Sequence, residues 1–218
     1  MRVRPVGRRA LLVELGSAAE VQALHAELLR RRAAGLLPAV REIVPAAGTI
    51  LLDGLDAPDR LAAELPSWDV PPLTETDAGR VTVPVRFDGP DLAEVAGLWG
   101  VRPEDVPDIV TGLPFRVAFC GFAPGFGYLT GLPDALHVPR RDTPRTAVPT
   151  GSLGLAGGYA GVYPRSSPGG WQLIGTAQTV LWDPARDPAA LLAPGARVRF
   201  TDAGADADTP TDGPGSPA

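Results

Sequence analysis

Between Cys120 and Gly175 glycine and proline punctuate the chain so densely that it can form only short elements joined by stiff loops. Three clusters stand out: residues 121–129 (GFAPGFGYL), 149–152 (PTGS) and 167–172 (SPGGWQ). Glycine lets backbone approach a ligand or take a positive φ, and proline fixes φ and removes a donor, so such loops are rigid and their N–H groups can be aimed. Loops of this kind, flanked by aromatic and polar residues, make a binding site.

The short apolar runs between the loops read as strands at residues 115–119, 152–156, 159–163, 172–176, 180–183 and 197–200, with Gly157-Gly158 as a hairpin turn. Many closely spaced strands favour a closed barrel or a sandwich, since closure disposes of exposed edges. Residues 80–87 alternate, with Val81, Val83, Val85 and Phe87 on one face. That is a strand buried on one side, and Pro84 places it at an edge or a bulge. Helices are expected over 91–99, stopped by Gly100, and over 103–110.

The first third has a different rhythm. A strand over 10–15 leads into Gly16-Ser17 and a capping box with Glu20. A helix then follows with Val21, Leu24, Leu28 and Leu29 on one face, Arg30 to Arg32 at its C-terminal end and Gly35 as its stop. Strands over 41–44 and 49–52 and a second helix over 59–65 complete a β-α-β-β-α order. Residues 66–79 carry three prolines and read as a linker. The expected domains are therefore an N-terminal α/β domain (1–78), a β-barrel domain (79–200) and a disordered tail (201–218).

Composition excludes several kinds of chemistry. A formal charge of −5 provides no basic face for nucleic acid. All 20 basic residues are arginine, which we read as the codon bias of a GC-rich genome. Without lysine there is no Schiff base and no phosphate-loop motif. The lone Cys120 rules out an internal disulfide, and His25 and His137 show no zinc spacing, so no metal site is expected. The N-terminus lacks an apolar signal region and no run approaches a membrane span, so a cytoplasmic protein is expected.

Five features are candidates for chemistry, the first four each with a plain structural alternative. Arg140, Arg141 and Arg145 sit on a proline-stiffened loop whose guanidinium forks suit carboxylate or phosphate, or else form a solvated loop with Asp142 as partner. Pro149, Gly151 and Ser152 form a turn that suits an anion or carbonyl oxygen, or else a locally bonded turn. Gly169 and Gly170 precede Trp171 and Gln172, which suit a pocket wall and the reading of an amide edge, or else core packing. Cys120 reads as a small buried hydrophobe rather than a nucleophile, and His137 as a general base without an identified partner.

The same residues, from Gly121-Phe122-Ala123-Pro124-Gly125-Phe126-Gly127 through Thr143-Pro144-Arg145 and Pro149-Thr150-Gly151-Ser152 to Pro168-Gly169-Gly170-Trp171-Gln172, resemble the family of 5-oxoprolinase B subunits. This family is also called allophanate hydrolase subunit 1, carries a carboxyltransferase-type domain and includes sporulation kinase inhibitors. The resemblance implies an α+β fold, with a small ferredoxin-like α/β domain before a cyclophilin-like β-barrel. It also implies ATP with Mg2+ as cofactor, and partner subunits C and A with which 5-oxoproline is opened to L-glutamate. By the same analogy Arg140, Arg145, Ser152 and His137 are the catalytic candidates. Pro149, Gly151, Gly169, Gly170, Trp171 and Gln172 are the substrate-binding ones. A histidine common in the family is absent near Val110. The alternatives are an inhibitor of a sensor histidine kinase and a component of an allophanate hydrolase.

Overall fold

The computed structural model describes residues 1–72 and 79–204. Two compact units emerge: Met1–Arg80 with Arg116–Thr130 and Leu181–Arg197 form one, and Val81–Phe115 and Gly131–Val180 with the described residues from Val198 onward form the other.

In the first unit β1 (Arg2–Val6), β2 (Ala10–Glu14), α1 (Ala18–Ala33), β3 (Glu42–Pro45), β4 (Thr49–Asp53) and α2 (Pro58–Glu64) follow in chain order. The strands make an antiparallel sheet in the order β1-β2-β4-β3. Period-two patterning puts Leu11 and Val13 of β2 and Ile50 and Leu52 of β4 on one face. There they bury against Val21, Leu24 and Leu28 of α1 and Leu61 of α2. Ser17 caps α1 through Oγ, which accepts from the Glu20 N–H at 3.2 Å. The Glu20 carboxylate reaches one residue further back than a capping box requires, to the Gly16 N–H at 3.0 Å.

At the other end of α1, Glu27 is buried and takes two hydrogen bonds from Arg30, at 2.8 and 2.6 Å, and one from Arg31 at 2.5 Å. The Arg31 guanidinium also lies 3.8 Å from the ring centroid of Trp68. Trp68 and Val70 pack on the first core, so the start of the expected linker is packed. Residues 73–78 of that stretch lie outside the described residues.

The elements that follow are β5 (Arg80–Arg86), α3 (Leu92–Trp99), α4 (Val106–Gly112), β6 (Phe115–Cys120), β7 (Gly127–Thr130), β8 (Arg145–Val148), β9 (Ser152–Ala156), β10 (Tyr159–Val162), β11 (Ser167–Gly169), β12 (Gln172–Ala177) and β13 (Arg197–Asp202). Seven of them close a barrel in the order β10-β7-β6-β13-β5-β12-β9, while β8 and β11 pair separately. The fold is thus mixed α and β with a closed barrel. Pro84 lies within β5, and the β5–β12 pairing runs through Val85 and Arg86, one residue beyond it. The 157–158 hairpin forms as expected, with Ala156 opposite Tyr159 and Gly157 at a φ of 54°.

Two expectations change. Residues 180–183 form no strand: Trp182 makes only an isolated bridge to Ala190. Strand β13 continues through Asp202, past the expected start of the tail, and residues 205–218 lie outside the described residues. Among the described residues no helix is long and apolar enough to cross a membrane.

Candidate functional site

The site begins with a backbone contact. A Cβ on Gly89 would lie 2.3 Å from both the Ile174 carbonyl carbon and the Leu173 oxygen, so only glycine lets this segment lie against β12. The approach delivers Asp91, which meets Leu173 through one backbone and one side-chain hydrogen bond. The Asp91 N–H donates to the Leu173 oxygen at 2.9 Å, and the Leu173 N–H donates to Asp91 Oδ2 at 2.7 Å.

Asp91 is 3% exposed, and its second carboxylate oxygen faces two guanidinium groups. Arg141 Nη1 donates to Oδ1 at 2.8 Å and Arg145 Nη2 donates to the same atom at 2.7 Å. The loop that carries these arginines is tied to β11 and to the turn that leads from it into β12. The Arg141 N–H donates to the Gly170 oxygen at 2.8 Å, and β8 pairs with β11 with Arg145 opposite Gly169.

One helical turn after Asp91, Glu94 extends the network on the same face of α3. It accepts from Arg141 Nη1 at 3.4 Å and from Gln172 Nε2 at 3.1 Å. Two guanidinium groups and two carboxylates formally cancel. The network is nevertheless incomplete: Arg141 Nε, Arg145 Nη1 and Gln172 Oε1 are buried without a hydrogen-bond partner. Buried polar atoms are normally paired, so such a concentration marks a place suited to a ligand.

The expected site residues divide accordingly. Arg145 and Gln172 join the network, and Gly169 and Gly170 frame it. A Cβ on Gly169 would lie 2.4 Å from the Tyr163 hydroxyl, so a side chain there would have to displace that buried ring. Trp171 is 7% exposed and meets Tyr163 edge-on, with ring centroids 6.4 Å apart. Pro149, Gly151 and Ser152 form a stitched turn beside the barrel: the Gly151 N–H donates to Tyr163, the Gly151 oxygen accepts from Ala177, and the Ser152 N–H donates to Pro149. Ser152 itself is buried at the start of β9.

Arg140 is exposed and takes no part in the network. His137 Nε2 lies 3.3 Å from the Leu132 oxygen and 3.5 Å from Asp134 Oδ1, which ties it to its own loop. Sequence reasoning missed the role of Asp91 and Glu94, and it named Arg141 among the loop arginines but carried Arg140 in its place into the catalytic set. The signal was present only in part: Asp91 stands where a helix cap is expected, yet its side chain caps nothing. Elsewhere, burial pushes the Cys120 thiol up to about 11, and its Sγ lies 3.4 Å from the Leu192 oxygen, as suits a packed thiol.

Comparison with known proteins places this architecture. The family model of the carboxyltransferase domain, subdomain C and D, matches residues 1–192. The chain is 42% identical over 174 residues to the 5-oxoprolinase B subunit of Escherichia coli O157:H7, a match spanning 75% of this chain and 78% of that one. The crystal structure of TTHA0988 superposes with a TM-score of 0.75 at 33% identity, covering 97% of this chain and 42% of the other, longer one. The Kluyveromyces lactis urea amidolyase shares the fold at 19% identity, with a TM-score of 0.71 over 94% of this chain and 15% of the amidolyase. With a family model matched along most of its length and a close relative covered over most of its own, the chain belongs to the carboxyltransferase subdomain C and D family, among the 5-oxoprolinase B subunits.

Proposed function

We propose that this chain is the B subunit of an ATP-dependent 5-oxoprolinase that works with partner subunits C and A to open 5-oxoproline to L-glutamate. The observation that carries this reading is the network that Glu94, Arg141 and Arg145 form around the buried Asp91 and Gln172 side chains, with guanidinium donors and one amide acceptor left unpaired. It stands in a chain 42% identical to a 5-oxoprolinase B subunit.

A lactam is a weak electrophile. Guanidinium N–H groups of Arg141 and Arg145 directed at its carbonyl or at its carboxylate would bind, orient and polarise it at a site whose donors are already in position. Trp171, Gly169 and Gly170 shape the wall beside it, and the Pro149–Ser152 turn braces β9. ATP fits this network poorly, because Asp91 and Glu94 already neutralise the two arginines and the chain has no lysine for a phosphate loop. We therefore assign the nucleotide to a surface completed by the partner subunits.

The test is co-expression of this chain with subunits C and A and measurement of glutamate released from 5-oxoproline with and without ATP and Mg2+, with allophanate as the competing substrate. ATP-dependent glutamate formation that disappears when this chain is omitted supports the reading. Turnover of allophanate with none of 5-oxoproline overturns it.

A further inference from the structure

We propose that Gln172 restricts the ligand of this site to one offering an N–H, so that a lactam or amide is accepted and the isosteric lactone or ester is refused; the inference rests on the 5-oxoprolinase reading above. Gln172 opens β12 and is 1% exposed. Its Nε2 donates to Glu94 Oε1 at 3.1 Å and to the Pro139 oxygen at 3.5 Å. A carboxylate and a carbonyl can only accept, so both amide hydrogens are committed and the side chain cannot be turned over without setting Oε1 against two oxygens. Glu94 is itself held by Arg141 Nη1 at 3.4 Å, which stiffens the arrangement.

Chemistry rather than convention therefore orients this amide. Its Oε1 is the buried atom left without a partner, an acceptor with no donor. In the same network Arg141 Nε and Arg145 Nη1 are donors without acceptors. Within one cluster linked through Asp91 and Glu94, an unpaired acceptor and two unpaired donors match in kind the N–H and C=O of a five-membered lactam. A lactone of the same shape puts a ring oxygen where the N–H stood and sets lone pair against lone pair. The unpaired acceptor then stays unpaired, at a cost of about ten- to a hundredfold in affinity.

The experiment measures equilibrium binding of 5-oxoproline and of its ring-oxygen analogue, 5-oxotetrahydrofuran-2-carboxylate, to the co-purified complex by calorimetry. The wild-type complex is expected to prefer the lactam by at least about tenfold. Gln172→Leu, which keeps the bulk and removes the acceptor, should narrow the ratio to within about threefold by weakening the lactam alone. Equal binding of the two ligands by the wild-type complex overturns the inference without recourse to any variant. Retention of the full preference in Gln172→Leu, or in the more flexible Gln172→Met, overturns it as well. Absence of all 5-oxoproline binding removes the 5-oxoprolinase reading and this inference with it.

Discussion

Replacing Asp91 by alanine separates two accounts of that residue by magnitude. As an ordinary helix N-cap, Asp91 would contribute about 1 kcal/mol. In the network its carboxylate accepts from Leu173 N–H, Arg141 Nη1 and Arg145 Nη2 at 2.7, 2.8 and 2.7 Å. Removing one partner of a buried ion pair costs about 3–5 kcal/mol, because the remaining charge is left uncompensated. The arginine side chains keep 32% and 24% of their surface, so water recovers part of that loss and the lower half of the range applies. For a chain of this length about 3 kcal/mol lowers the melting temperature by roughly 10 °C. The assay is a thermal melt followed by circular dichroism on wild type, Asp91→Ala and Asp91→Asn. A drop of only about 3 °C in Asp91→Ala would match a simple cap and refute the network.

Three further outcomes follow from the packing and the titrations. Gly89→Ala places a Cβ 2.3 Å from β12 backbone atoms and should destabilise by about 1–3 kcal/mol, as read by urea unfolding. Hydrogen bonds from Arg30 and then Arg31 hold the Glu27 carboxyl down at about 2 from its ordinary 4.5. Its folded-state pKa is depressed, so its contribution is present above about pH 4.5 and is lost as pH falls towards 2; Glu27→Gln should flatten the acid limb of stability against pH in that window. Cys120, with its thiol at about 11, should react with iodoacetamide at pH 8 roughly a hundredfold more slowly than an unburied thiol, and the rate should climb with pH.

Local signals were legible wherever one residue type decides a conformation. Ser17 and the apolar positions of α1 announced that helix, Gly100 takes the left-handed cap its position suggested, and Gly157 turns its hairpin. Strands β1, β8 and β11 were not legible, because Pro5, Arg145 and Pro168 break the apolar alternation and pairing alone makes them strands. Residues 180–183 erred in the other direction, being apolar without a ladder to join.

At the site, the glycine-framed loops pointed to Arg145 and Gln172, which the structure joins through acidic residues that loop composition does not reveal. Choosing between Arg140 and Arg141 depends on which side of the loop faces the turn between β11 and β12. That is settled by the Arg141 N–H bonding to Gly170, a contact between residues far apart in the chain.

The most direct test of the central claim compares glutamate formation by the reconstituted complex carrying Arg145→Ala, Arg141→Ala or Arg140→Ala. Loss of a charge-assisted contact to the ligand should lower kcat/KM by about ten- to a hundredfold for the first two, while Arg140→Ala stays within about twofold of wild type. Unchanged turnover in Arg145→Ala, or an equal loss in all three variants, would contradict the assignment of the Asp91-centred network as the ligand site.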